Sequence, residues 1–272
     1  MNWQALRAII YKDLKVVVQN KGVVIPIIVV PAIFLVLLPL LLLFVPQLAQ
    51  TDPSALNDFT TMLATMPAGL AKALAGYSFE GQLTILVLVY FFAPLFLILP
   101  LMVSSVIAAD SFAGEKERKT LEALLYSPTT DNELFIAKVL AAWLPAVAVA
   151  VGGFVVYGLV GNLVARPVLG ELIFPNLLWL VLVFWVAPAV AGLSLGVTVV
   201  VSARAQGFQD AYQIGALIVL PLIALMIGQA TGLMYFSVGL VFGLGLVSWL
   251  LAALVLWIGA RLFQRQSLVT RL

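Results

Sequence analysis

The chain has 272 residues, of which 64% are hydrophobic and 10% are charged. Soluble domains average about 45–50% apolar and about 25% charged residues, so both departures indicate an integral membrane protein. The net charge of only +2 argues against a broad nucleic-acid-binding face. The chain has no Cys and no His, which excludes disulfides, thiol nucleophiles, Ser-His triads and most metal sites.

The first element in chain order is an amphipathic segment within residues 1–22. Over residues 3–20, apolar residues recur at helical spacing and polar residues lie on the opposite face. This pattern predicts a helix that lies in the membrane interface with its lysines toward the lipid headgroups. A basic flank that only fixes the topology is the alternative. The residues that define the segment are Trp3, Leu6, Ile10, Lys12, Leu14 and Lys15.

Six uncharged apolar runs follow, each long enough to cross a bilayer. A hydrocarbon core of about 30 Å needs about 20 helical residues. The predicted spans cover residues 23–46, 83–109, 139–165, 177–201, 212–229 and 238–260. Because the last two share one uncharged stretch, a re-entrant hairpin at Gly228–Gly239 is an alternative to a tight turn. The sequence therefore predicts an all-α polytopic membrane protein with six transmembrane helices.

Prolines occur in five of the predicted spans. They could act as hinges, although membrane helices also tolerate proline without any such role. Those in question include Pro26, Pro31, Pro94, Pro100, Pro145, Pro188 and Pro221.

The basic residues predict the orientation of the spans. Of the 14 Lys and Arg residues, only Lys72 and Arg166 fall on the side opposite the two termini. The positive-inside rule places the richer side in the cytosol. We therefore expect cytosolic termini, a cytosolic loop at residues 110–138 and a small outer segment at residues 47–82.

The 110–138 loop carries the most specific pattern. Glu115 can pair with Lys119, and Arg118 with Glu122, at a spacing of four residues that favours a helix. Leucines give this helix a short apolar face, which suits docking to a soluble partner. A solvated charged loop with local ion pairs is the alternative.

A break and a second helix follow within the same loop. Pro128 disfavours helix in the residue before it. Thr130 and Glu133 then have the S/T-x-x-E spacing of a capping box, which predicts the start of the helix that contains the third span.

This loop resembles the cytosolic loop of type-2 ATP-binding-cassette (ABC) transporter permeases. In that family an acidic-basic run precedes T-L-E-x-L-L-x-x-P, a polar turn, E-L and a Lys at the start of the third span. A basic N-terminal elbow helix and six spans complete the family layout, so the resemblance covers nearly the whole chain. The matching positions are Thr120, Leu121, Glu122, Leu124, Leu125, Pro128, Glu133, Leu134 and Lys138.

The resemblance implies that the loop forms a coupling helix, which docks on a cytosolic ATP-binding subunit. The chain lacks a G-x-x-x-x-G-K-[ST] phosphate loop. We therefore expect no catalytic, cofactor or metal site in it, and expect ATP and Mg to bind to the partner. The residues expected at the docking site are Glu115, Glu117, Arg118, Thr120, Leu121, Glu122, Leu124 and Leu125.

The expected assembly has two ATP-binding subunits and a second permease chain, identical or homologous, in a bacterial or archaeal plasma membrane. The expected function is the permease of an ATP-driven exporter that works by alternating access. A membrane scaffold for a cytosolic ATPase is one alternative. An ion-coupled secondary transporter is another, but it predicts ionisable residues inside the spans, and the six predicted spans contain none.

The resemblance also suggests that spans two and five face the partner permease and the transport pathway. An aromatic cluster in span two would suit an amphipathic or apolar substrate such as a lipid, drug or peptide. Packing in the core or against lipid is the alternative for these aromatics. The expected pathway residues are Tyr90, Phe92, Phe96 and Gln213.

Overall fold

A computed structural model describes residues 3–44, 68–120, 130–231, 234 and 236–263. The described residues form helices and no strand. Six of the helices are long and apolar enough to span a membrane, which confirms the predicted fold class. In chain order the helices are α1 (Trp3–Gln19), α2 (Lys21–Phe44), α3 (Ala68–Leu74), α4 (Phe79–Glu117), α5 (Asp131–Leu169), α6 (Leu177–Ser202), α7 (Phe208–Gln229) and α8 (Val238–Leu262).

Helices α4 and α5 extend well beyond the predicted spans, and each has 39 residues. The predicted capping box at the start of α5 is confirmed. The Thr130 hydroxyl accepts a hydrogen bond from the Glu133 amide at 3.3 Å, and the Glu133 carboxylate accepts one from the Thr130 amide at 3.1 Å. Gly170 ends the helix in the left-handed region at φ 72°, where a glycine pays no steric cost.

Helices α4 and α6 form the centre of the bundle. Their most apolar windows are 61% and 67% buried inside the chain, against 11–22% for the other four spanning helices. Small polar side chains join the two central helices: Ser105 bonds to Ser194, and Thr198 bonds to Ser105 at 3.3 Å. In lipid, close contact between helices depends on such small residues and hydrogen bonds, because apolar burial gives no advantage there.

Within the described residues, three of the four π-helical segments lie just before a proline. A proline has no N–H for the carbonyl four residues earlier and displaces it sterically, so the local pattern widens to the π spacing. That carbonyl lies inside the π segment in each case: Ile33–Leu37 before Pro39, Leu86–Phe91 before Pro94, and Leu182–Val186 before Pro188. The prolines thus reshape their helices locally, and their action as hinges stays a prediction.

Side chains from α5 and α6 bond the carbonyls of the π segment in α4. The Tyr157 hydroxyl donates to the Leu88 carbonyl at 2.6 Å, and the Trp179 indole donates to the Val89 carbonyl at 2.9 Å. Both rings are fully buried and stack with centroids 4.5 Å apart. We call this region the aromatic layer, which consists of Phe96, Phe154, Tyr157, Phe174 and Trp179.

The last two spans are separate helices. Gly228 lies inside α7 and Gly239 inside α8, where the hairpin alternative would have placed them in a re-entrant turn. The connection is residues 230–237, within which the structure describes positions 230, 231, 234, 236 and 237.

Candidate functional site

Helix α1 packs where α4 ends and α5 begins, a region that we call the α1 end. Its residues Leu6 and Ile9 share one buried cluster with Phe112 of α4 and with Leu134 and Phe135 of α5. The aromatic layer lies toward the opposite end of the bundle. The cluster fixes α1 against the helices that flank the predicted docking loop.

The buried face of α1 combines apolar residues with one carboxylate. The residues turned inward are Leu6, Ile9, Asp13 and Val17, and Trp3 is 65% exposed. Ile10, Lys12 and Leu14 are half-buried, and Lys15 is exposed. Of the apolar residues that define the predicted segment, Leu6 is buried, Ile10 and Leu14 lie beside it, and Trp3 does not face the bundle; the position of this helix in the membrane interface stays a prediction. An apolar pattern could not show that a carboxylate, Asp13, lies on the inner face.

Lys138 of α5 is the centre of a buried ion cluster. Its side chain is completely inaccessible to solvent. Its ammonium donates to the Glu115 carboxylate at 2.6 Å and to the Ser111 carbonyl at 2.7 Å. It also lies 3.7 Å from the Asp13 carboxylate and 5.6 Å from the centre of the Phe112 ring.

Lys12 completes the cluster from the outer side of α1. Its ammonium bonds to the Glu115 carboxylate and lies 3.0 Å from the Asp13 carboxylate. Two cations and two carboxylates then cancel in net charge. This balance matters because a buried ion is tolerated only when it is paired. The buried ion cluster, consisting of Lys12, Asp13, Glu115 and Lys138, thus links α1, α4 and α5.

The cluster also shifts the pKa of Lys12, the member that is still partly exposed. Burial by itself would lower the pKa of Lys12. The hydrogen bond to Glu115 and the charge of Asp13 outweigh this effect and raise the pKa of Lys12 above its ordinary value. Lys12 therefore stays charged throughout the physiological pH range.

Of the two ion pairs expected within the docking loop, the one from Glu115 is replaced, and the other involves Glu122, which lies outside the described residues. Glu115 pairs with Lys12 and Lys138 instead of Lys119. Arg118 pairs with Asp110, eight residues back, at 3.0 Å. Gly114 lies close to this pair, since a Cβ there would be 3.2 Å from both the Arg118 guanidinium and the Asp110 carboxylate. Both sets of pairs neutralise a carboxylate that the fold buries.

Helix α4 ends in a turn centred on Lys119, which has φ 57°. The Thr120 amide donates to the Glu115 carbonyl at 3.0 Å, and the Lys119 amide donates to the Lys116 carbonyl at 3.1 Å. These two bonds are those of a Schellman motif, in which glycine is usual. A side chain in this left-handed region costs about 1–2 kcal/mol, so the chain is turned away from α4 at a cost in strain.

The predicted docking residues fall into three groups. Glu115 is 5% exposed and its carboxylate bonds inside the chain, so its expected contact with a partner stays a prediction that these bonds do not support. Glu117, Arg118 and Thr120 are exposed, and docking through them stays a prediction. The remaining predicted docking residues lie outside the described part of the chain: Leu121, Glu122, Leu124 and Leu125.

The predicted pathway residues differ in their exposure. Phe92 and Phe96 are 8% and 2% exposed and belong to the chain's own core, as the packing alternative proposed. The central position of α4 explains this result. Tyr90 is half-buried and lines a cavity of about 360 Å³ beside Tyr77 and Glu171. Gln213 is exposed.

Gln213 lies at the α1 end, in a polar recess between α4 and α7. This recess has a volume of about 400 Å³ and is lined also by Glu117, Gln206, Gln209 and Asp210. The described residues contain no group of three or more acidic side chains that could hold a metal ion.

Sequence reasoning missed the roles of Asp13 and Lys138. The sequence pattern predicted no role for Asp13, and it included Lys138 only as a match to the family pattern. A usable signal was present, because a lysine inside an apolar helix needs an acidic partner. Which acids it meets depends on tertiary packing, which brings Asp13 of α1 and Glu115 of α4 to it.

The fold and this site define a polytopic α-helical membrane protein in which helix α1 is joined to the base of a charged loop. The family model described as "ABC-2 family transporter protein" matches residues 7–242, and the chain belongs to this family. It is the permease subunit of an ABC transporter, a membrane component that works with an ATP-binding subunit. No curated protein and no solved structure matches it.

Proposed function

We propose that the chain is the permease of an ATP-driven exporter in a bacterial or archaeal plasma membrane. Its ATP-binding subunit docks at the α1 end, on the exposed part of the 115–125 segment. Both termini and the α1 end face the cytosol. Two ATP-binding subunits, which carry the ATP and Mg, and a second permease chain complete the assembly.

The observation that carries this proposal is the attachment of the docking loop. Residues 110–120 leave the membrane domain at the α1 end, and Glu115 bonds there to Lys12 of α1 and Lys138 of α5. A force applied to the loop therefore reaches three helices at once. A loop that only fixed topology would need no such buried ion cluster, which is costly to assemble.

The surface of α1 supports its role as an interfacial elbow. Trp3, Tyr11 and Val18 are 65%, 71% and 72% exposed. Aromatic residues prefer the boundary between headgroups and hydrocarbon, and an amphipathic helix with basic residues binds in the plane of that boundary. The helix thus touches lipid on one side and the ion cluster on the other.

The mechanism depends on two states of the bundle. ATP binding closes the two ATP-binding subunits and displaces the docking loop and α1 together. The spanning helices then exchange inward for outward access. An amphipathic or apolar substrate fits the predominantly apolar surfaces of the weakly buried helices α2, α5, α7 and α8.

Affinity purification from native membranes in mild detergent, followed by mass spectrometry, tests the docking. We expect a protein with a phosphate loop to co-purify in a nucleotide-dependent way. Glu122→Lys should release it, whereas Glu80→Lys, on α4 at its opposite terminus, should not. Repeated purification of the chain alone would refute the proposal. Glu115 is unsuitable for this test, because reversing its charge would disrupt the buried ion cluster.

Two further measurements separate the alternatives. Since the chain has no cysteine, Lys72→Cys should react with an impermeant reagent outside intact cells and Lys119→Cys should not. The opposite pattern would invert the orientation. Nucleotide-dependent uptake of a fluorescent lipid or drug into inside-out vesicles would distinguish an exporter from a scaffold.

A further inference from the structure

The first turn of α7 is held by a residue of α4. The Glu117 carboxylate accepts a hydrogen bond at 2.9 Å from the amide of Phe208, 91 residues later in the chain. An acid at this position also complements the positive end of the helix dipole. The contact joins the exposed base of the docking loop directly to a spanning helix.

The residue before this turn is suited to the contact. A Cβ on Gly207 would lie 2.5 Å from the Glu117 carboxylate oxygen and 2.9 Å from its carboxyl carbon. Gly207 has an extended backbone with φ −165°, which any residue can adopt. Glycine is therefore needed here because of the close approach of Glu117 and not because of the backbone conformation.

Apolar packing reinforces the same joint. Phe208 and Tyr212 stack with their planes 2° apart, and both pack on a small cluster that includes Ala109 and Ala113 of α4. Over the rest of its length α7 is weakly held, since only 17% of its apolar window is buried. The described contacts thus attach the start of α7 to α4, while little of its apolar window is buried inside the chain.

A second carboxylate at the same helix terminus provides a matched comparison. Asp210 accepts a hydrogen bond from the Gln206 amide at 3.1 Å. That contact is confined to the loop that precedes α7. Glu117 and Asp210 therefore place similar charges at one helix terminus, but only the first connects it to the docking loop.

We propose that Glu117 is a positioning residue that makes α7 follow the docking loop when nucleotide binds. The inference rests on the proposed function, because it needs an ATP-binding subunit on the loop. The buried ion cluster carries the same displacement to α1 and α5. Glu117 transmits the displacement of the docking loop separately to α7. A substitution can therefore remove one of these two connections and leave the other in place.

The experiment uses spin-label distances in the permease–ATPase complex, in nanodiscs, with and without Mg-ATP and vanadate. One pair joins Ile214→Cys on α7 to Leu254→Cys on α8, and the other joins Ile136→Cys on α5 to Leu254→Cys. All three positions are at least 40% exposed. Because the chain has no native cysteine, this chain is labelled only at the introduced positions.

In the parent protein we expect nucleotide to shift both distances. Glu117→Ala should remove about half or more of the α7 shift, since losing a cap changes a helix-end equilibrium about five-fold. It should leave the α5 shift unchanged. Asp210→Ala should leave both shifts unchanged, and Glu117→Gln, which can still accept the hydrogen bond, should recover part of the α7 shift.

Amide exchange at Phe208 tests the contact without any ATPase. In the isolated chain, Glu117→Ala should speed this exchange about five-fold. An unchanged exchange rate, or an α7 shift equal to the parent's, would overturn the inference and leave the docking proposal intact. A parent chain that retains no ATP-binding subunit would overturn the docking proposal, and this inference with it.

Discussion

At the α1 end a cluster of charged side chains is buried, whereas the aromatic layer buries the hydroxyl of Tyr157 and the indole of Trp179. Lys138 and Glu115 are neutralised by each other and by Lys12 and Asp13. Tyr157 and Trp179 instead donate to backbone carbonyls that a π segment has displaced. Both regions join three or more segments of the chain, but by different physical means.

The difference bears on how each region responds to force. A neutral hydrogen bond contributes about 0.5–1.5 kcal/mol and can be lost alone, so the aromatic layer should weaken gradually. An ion in a cluster leaves its partner uncompensated when it is removed, so the cluster should hold or fail as a unit. Such all-or-none behaviour suits the end of the molecule that we propose to carry the load from ATP.

The largest expected effect comes from Lys138→Met. The change keeps an unbranched side chain that is one atom shorter but leaves Asp13 and Glu115 buried with only Lys12, which should cost about 3–5 kcal/mol. The measurement is the midpoint of thermal unfolding in detergent. Lys15→Met removes an exposed lysine of α1 and should change stability by less than about 0.5 kcal/mol.

A double variant shows whether the loss comes from charge. Glu115→Gln combined with Lys138→Met removes one cation and one carboxylate, so it should be more stable than Lys138→Met alone. Equal stability of the single and double variants would contradict the cluster as an electrostatic unit.

Asn162→Leu tests the opposite end and should have a smaller effect. The Asn162 amide accepts from the amides of Ile173 and Phe174 at 3.0 and 2.9 Å and donates to the Phe174 carbonyl at 2.8 Å. Losing these neutral bonds should cost about 1–3 kcal/mol, again read from thermal unfolding. A loss of stability as large as that of Lys138→Met would contradict the proposed difference between the charged cluster and the neutral hydrogen bonds at the opposite end.

Lys119→Gly should stabilise the α1 end. The substitution relieves the left-handed strain at φ 57°, which is worth about 1 kcal/mol. The rise in unfolding temperature should be absent in Lys116→Gly, which lies within α4 and should be destabilised by about 1 kcal/mol. A destabilised Lys119→Gly would show that the side chain contributes more than the strain costs.

The smallest effect concerns pH. Because the pKa of Lys12 is raised on folding, its contribution to stability is fully present below the unfolded pKa of about 10.4. It is lost as pH rises through the higher folded value, and it amounts to less than about 1 kcal/mol for so exposed a group. Lys12→Arg, which keeps its charge, should lose less stability than the parent between pH 10 and 11.

The sequence predicted the number of spanning helices and their approximate limits. Each span needs a long apolar run, and such a run can be read directly from the order of residues. It also predicted the capping box at Thr130, whose two partners are three residues apart. The sequence-based prediction was wrong for an ion pair whose partners come from distant segments of the chain. Glu115 pairs with Lys12 and Lys138 instead of Lys119. Asp13 lies on the inward face of α1.

The sequence by itself determined the membrane class, the six spans and, through the loop pattern, the family. These depend on composition and local spacing, which the chain carries without folding. Only the tertiary structure decided that Glu115 is a buried link between helices, that Phe92 and Phe96 belong to the core, and that Glu117 caps α7. Each of these outcomes depends on which helices are neighbours, and the burial of a charge or a ring is set by those neighbours.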